Sequence, residues 1–160
     1  MTGIYYGDAF LIGGKCVVVF GAGKTRVIND RVIQEKDSSN KMIVNDSIRF
    51  EIKDDKLMVI PDPLMGHCKE LNLPEPSVKD GYFIDYFIFN EFEIDTHADF
   101  KKLSIDEFVE TATFNINFGA TSDRRPEMKE LLVGQSVELY RVPWCHTPNE
   151  KAKIIQEIIS

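Results

Sequence analysis

The sequence predicts an α+β fold in a single domain spanning residues 1–160, with N-terminal antiparallel β-hairpins in a mostly antiparallel sheet and two or three helices in the C-terminal half. Three observations lead there. The first sixty residues hold short Val- and Ile-rich runs punctuated by Gly, Asp-Asp and Ser-Asn, which is how strands and turns read. The second half carries two well-marked helix starts. The composition, 43% apolar and 28% charged, is that of an ordinary globular domain. A chain of this size buries roughly 70% of its extended surface, enough for a core without disulfides or a structural metal.

Lys15-Cys16-Val17-Val18-Val19-Phe20 is apolar on both parities, as a strand covered on both faces would be. Ser47-Ile48-Arg49-Phe50-Glu51-Ile52 alternates, sending Ile48, Phe50 and Ile52 inward and Ser47, Arg49 and Glu51 to solvent. Lys53-Asp54-Asp55-Lys56 then turns the chain into Leu57-Met58-Val59-Ile60, which completes a hairpin. Residues 61–81 hold four of the seven prolines and no sustained periodicity, so they read as a long loop with Gly66-His67-Cys68 at its middle. Ser104-Ile105-Asp106-Glu107 is a capping box with Leu103 and Phe108 as its apolar staple, and it starts a helix over residues 105–111. A strand is expected over 114–118, a short helix over 126–133 ended by Gly134, and a strand over 136–142. Thr147-Pro148-Asn149-Glu150 opens a last helix with an apolar stripe of Ile154, Ile155, Ile158 and Ile159.

Charge narrows the partners. The net charge is −7, and nearly all of it lies in residues 81–160, which carry 8 basic and 14 acidic side chains against 11 and 12 in residues 1–80. Such a balance repels phosphate backbones and anionic lipid heads, which disfavours nucleic acid and a membrane as direct partners. No basic stretch followed by an apolar core stands at the N-terminus, so the expected location is the cytoplasm. Three widely spaced cysteines, Cys16, Cys68 and Cys145, fit reduced thiols there.

Four motifs bear on chemistry. Gly21-Ala22-Gly23-Lys24-Thr25 follows a strand as a phosphate-binding loop does, but Val18 stands where that motif has its first Gly and no helical pattern follows, so it reads as a glycine hairpin. Asp30 with Glu51 and Lys53 is a thin version of the metal-dependent nuclease pattern, yet Glu-x-Lys on a strand's polar face is common surface patterning. His67-Cys68 and Cys145-His146, with His97 as a spare base, supply the elements of a zinc site or a Cys-His nucleophile without the usual ligand spacing. Val137-Glu138-Leu139-Tyr140-Arg141-Val142-Pro143-Trp144-Cys145 and the helix after it resemble the first strand, Trp-Cys and helix of the thioredoxin and glutaredoxin families over about twenty residues. Pro148 replaces the second cysteine of that redox pair, so no function is carried over.

The stretch from Tyr82 to Phe100 holds seven of the chain's aromatics and several carboxylates, with no Lys or Arg. Read as one strand, its even positions Tyr82, Ile84, Tyr86, Ile88, Phe92 and Ile94 belong to the core. The odd face then presents Phe83, Asp85, Phe87, Phe89, Glu91, Glu93 and Asp95, an aromatic patch among carboxylates that suits a contact surface unless a helix covers it. The resulting expectation is a non-enzymatic acidic protein-binding module, an inhibitor, immunity or host-modulating protein, with those seven residues meeting a protein partner of basic or mixed surface. No catalytic residue, metal or cofactor is assigned. A thiol- or metal-dependent enzyme and a homo-oligomeric structural subunit are the alternatives.

Overall fold

The computed structural model describes residues 5–21, 40–44, 47–61, 81–94, 99–111, 124–144 and 148–160. The mixed α+β class is as expected, with ten described strands in two sheets and three described helices in the C-terminal half. The strands are β1 (Tyr5–Tyr6), β2 (Asp8–Ile12), β3 (Lys15–Phe20), β4 (Lys41–Val44), β5 (Ser47–Lys53), β6 (Lys56–Pro61), β7 (Tyr82–Phe83), β8 (Tyr86–Ile94), β9 (Lys101–Leu103) and β10 (Glu138–Trp144). The helices are α1 (Ile105–Thr111), α2 (Arg125–Leu132) and α3 (Pro148–Ile159).

The smaller sheet runs β1-β5-β6-β7 and is antiparallel throughout. Its β5–β6 hairpin turns through Asp54 and Asp55, both at positive φ (52° and 60°), the two-residue turn whose twist matches the flanking strands. Ile48 and Phe50 are buried as the alternation predicts. Ile52 departs from it and is 46% exposed, although its register partner Leu57 is buried.

The larger sheet runs β4-β2-β3-β8-β10-β9. β2 pairs antiparallel with both β3 and β4, which makes β3 and β4 parallel to each other, and β8 is parallel to both β3 and β10. β4, β3, β8 and β10 therefore share one direction and end at one edge of the sheet. Both faces of this sheet are covered. Val18, Phe20, Phe87 and Phe89 pack on the smaller sheet through Tyr5 and Phe50, and on α1 and α2 through Phe108, Val109, Met128 and Leu132. Phe20 and Phe87 meet edge to face at 5.3 Å, and Phe87 stacks on Phe108 at 5.8 Å. On the opposite face Val17, Val19, Ile88, Tyr140 and Val142 pack on Ala152, Ile155 and Ile158 of α3.

This arrangement corrects the reading of residues 82–94 as one strand with an exposed odd face. The chain is broken at Ile84 and Asp85, where it passes from the smaller sheet to the larger: the Ile84 amide donates to the Leu57 carbonyl and the Asp85 amide to the Cys16 carbonyl. The Cys16 amide in turn donates to the Asp85 carboxylate at 2.9 Å. Ile84 then faces the same cluster as Phe87 and Phe89, out of phase with Ile88. The C-terminal helix covers the even face, while the smaller sheet, α1 and α2 cover the odd one.

Local signals account for the helices. At α1 the Glu107 amide donates to Ser104 Oγ at 3.1 Å and the Ser104 amide donates to the Glu107 carboxylate at 3.3 Å, the reciprocal bonds of a capping box. α2 has a Pro in its first turn and is closed by the Val133 amide on the Lys129 carbonyl, with Gly134 at φ 79° just beyond. The strand expected over 114–118 lies outside the described residues. None of the described helices is long and apolar enough to cross a membrane.

Candidate functional site

The common edge where β4, β3, β8 and β10 end is where this topology can hold a ligand. From β3 the chain continues toward β4 on one side of the sheet, whereas from β8 it continues toward β9 and β10 on the other. The adjacent ends of β3 and β8 thus form a switch point, the place where connections diverge and leave a crevice beyond the carboxyl ends of the strands.

Two residues stand in register at that point. Phe20 pairs with Phe89, so the next residues, Gly21 and Asn90, lie side by side. Gly21 has φ 132°, and a Cβ there would fall 2.6 Å from Asn90 Cβ and 2.7 Å from the Asn90 carbonyl oxygen. Only glycine fits. Asn90 pairs on its other side with Val142 and is 4% exposed. Neither Nδ2 nor Oδ1 of its carboxamide has a hydrogen-bond partner. By alternation from Ile88 it lies on the face covered by α3, the helix that opens at Pro148 just beyond the end of β10. Asp8, fully buried at the start of β2 opposite Val19, is a second buried polar residue near this end of the sheet.

The residues singled out from sequence fall elsewhere or apart. Phe87 and Phe89 are 0% and 3% exposed and belong to the core, which removes the aromatic contact face built on them. Phe83 is 44% exposed, with Lys56 Nζ 5.7 Å from its ring centre, and Asp85 is half-buried with its carboxylate held by the Cys16 amide. Glu91 and Glu93 lie on β8 next to Asn90, near the shared edge. Asp95 lies outside the described residues, as do Asp30, His67, Cys68, His97, Cys145, His146 and the sequence from Ala22 to Ser39. Glu51 is half-buried on β5 and Lys53 is exposed at the end of the same strand. Among the described residues no group of three or more His, Cys, Asp or Glu side chains is placed to hold a metal. Cys16 is buried, and desolvation, with the Asp85 charge beside it, pushes its thiol far above the ordinary range, so it is no nucleophile.

No family model matches the chain, and no curated protein matches it in sequence. Among solved structures it is similar to the HPr(Ser) kinase/phosphatase from Coxiella burnetii, with a TM-score of 0.56, 7% sequence identity and coverage of 99% of this chain and 97% of that one. The likeness is one of fold. It overturns the expected non-enzymatic binding module, since the fold matched along nearly the whole chain is that of an enzyme, and the burial of Phe87 and Phe89 takes away the surface on which that expectation stood.

Sequence reasoning missed Gly21 in its paired role, and it missed Asn90 and Asp8. The signal for Asn90 was present: a single uncharged polar residue closing the run Tyr86-Phe87-Ile88-Phe89. A buried strand carries such a residue at the cost of its hydrogen bonds unless something completes them.

Proposed function

We propose that the chain binds a phosphorylated ligand, of the nucleoside polyphosphate class, in the crevice beyond β3 and β8, and that it works in phosphoryl transfer. The observation that carries this reading is the exit of β3: the strand ends at Gly21, packed against Asn90 at the switch point, and the sequence continues Ala22-Gly23-Lys24-Thr25. Glycines let backbone amides approach a phosphate closely, a lysine supplies positive charge, and a threonine hydroxyl suits the magnesium that accompanies a polyphosphate. On a chain of net charge −7 that metal also offsets repulsion between protein and ligand.

The segment departs from the familiar phosphate-binding loop at Val18, which is buried within β3 where that loop has its first glycine. Without that first glycine the motif has one fewer position at which a backbone amide can approach a phosphate closely, so the expected affinity is modest. The similar solved structure, titled a kinase/phosphatase, supports the same reaction class.

The test is calorimetric titration of the purified chain with Mg·ATP. Wild type is expected to bind, and Lys24→Ala to bind at least about tenfold more weakly while melting at the same temperature. Absence of binding by the wild type, or equal binding by the two, contradicts the reading.

A further inference from the structure

Asn90 is an anomaly of the core. Its strand neighbours Ile88 and Phe89, its register partner Val142 and the adjacent Val19 are all buried apolar residues. Its own carboxamide is as buried as they are, with both polar atoms unpaired. A buried donor or acceptor left without a partner is costly, so an aliphatic side chain of similar volume would be the more stable choice. The cost falls at one particular place, the carboxyl end of β8, beside the glycine from which β3 departs and on the face that α3 covers.

Resting on the phosphate-binding reading above, we infer that Asn90 is a ligand-contacting residue whose Nδ2 donates to a phosphate oxygen of the bound polyphosphate. Three features support it. The carboxamide is neutral, so it enters a dry site without the desolvation penalty of a charged group. It offers a donor to an acceptor-rich anion while adding no negative charge. Gly21 packs directly on the Asn90 backbone and Cβ, which fixes Asn90 at the strand end where the connections diverge. The cost of burying the carboxamide is then offset on binding, when it gains its partner.

The experiment compares wild type with Asn90→Leu and Asn90→Ser, each titrated with Mg·ATP and with inorganic triphosphate and each melted without ligand. Leu removes both unpaired atoms at similar volume, so the ligand-free melting temperature should rise by a few degrees, roughly 2–6 °C, while affinity for both probes falls at least about tenfold. Should Leu fail to fold, Ser decides by the same titrations. Unchanged affinity in the folded variant makes Asn90 a packing residue and overturns the inference while leaving the phosphate-binding reading intact. A loss confined to Mg·ATP moves the contact to the nucleoside and likewise overturns it. Failure of the wild type to bind either probe overturns the reading and the inference together.

Discussion

Gly21 and Asn90 stand side by side at the ends of two parallel strands, so close that any side chain on Gly21 would place its Cβ 2.6 Å from that of Asn90. That contact joins residues 69 positions apart in sequence and marks the point where the chain's connections diverge to opposite sides of the larger sheet.

Gly21→Ala should therefore do two kinds of damage. The new Cβ meets Asn90 at a distance that forces one strand end to shift, and φ 132° is a conformation that L side chains rarely adopt. Together these should cost about 2–4 kcal/mol in a chemical unfolding experiment and abolish binding of Mg·ATP.

The two parities of residues 82–94 separate in a truncation series. Phe87→Ala empties a site packed between Phe20, Phe50 and Phe108 and should cost about 3–5 kcal/mol. Phe83→Ala, 44% exposed, should cost under about 1 kcal/mol. Denaturant titration of both variants checks the difference.

Tyr5 ties the smaller sheet to α2: its hydroxyl donates to the Glu127 carboxylate, and the Arg124 guanidinium lies 4.5 Å from its ring centre. Burial, reinforced by Glu127, pushes its phenol well above the ordinary tyrosine range. Tyr5→Phe should cost about 1–3 kcal/mol. In the wild type, spectrophotometric titration should show this one tyrosine ionising only as the protein unfolds at alkaline pH.

The capping box gives a pH dependence with a definite sign. A hydrogen bond from Lys101, then those with Ser104, hold the Glu107 carboxyl below its ordinary value in the folded chain. A depressed carboxylate contributes stability above its unfolded pKa, about 4.3, and that contribution is lost as pH falls through the lower folded value. Glu107→Gln should flatten the acid limb of the melting-temperature profile and leave the profile above pH about 6 nearly parallel to wild type. Ser104→Ala should cost about 1 kcal/mol at neutral pH.

What could be read from the sequence was what short-range physics decides. The capping box at Ser104 and Glu107, the β5–β6 hairpin and the opening of α3 at Pro148 each depend on residues a few positions apart, and each stands where the pattern places it. The parallel pairing of β3 with β8 depends on packing between distant segments, and no local pattern announces it. Phe87 and Phe89 looked exposed because alternation gives the phase of a strand and not the number of layers packed on it. The candidate site was obscured for the same reason. Gly21-Ala22-Gly23-Lys24-Thr25 was set aside on its spacing and on the lack of a helical pattern after it, whereas the proposed site draws on the strand end at Gly21 and on an asparagine far along the chain.

An amide chemical-shift titration of the isotope-labelled full chain with Mg·ATP locates the bound ligand on the fold. Saturable shifts are expected to centre on Gly21 and Asn90, to reach the start of α3 and to spare the β5–β6 hairpin at Asp54 and Asp55. Shifts centred on the hairpin or on α2, or no saturable shifts, would contradict a phosphate site at the ends of β3 and β8.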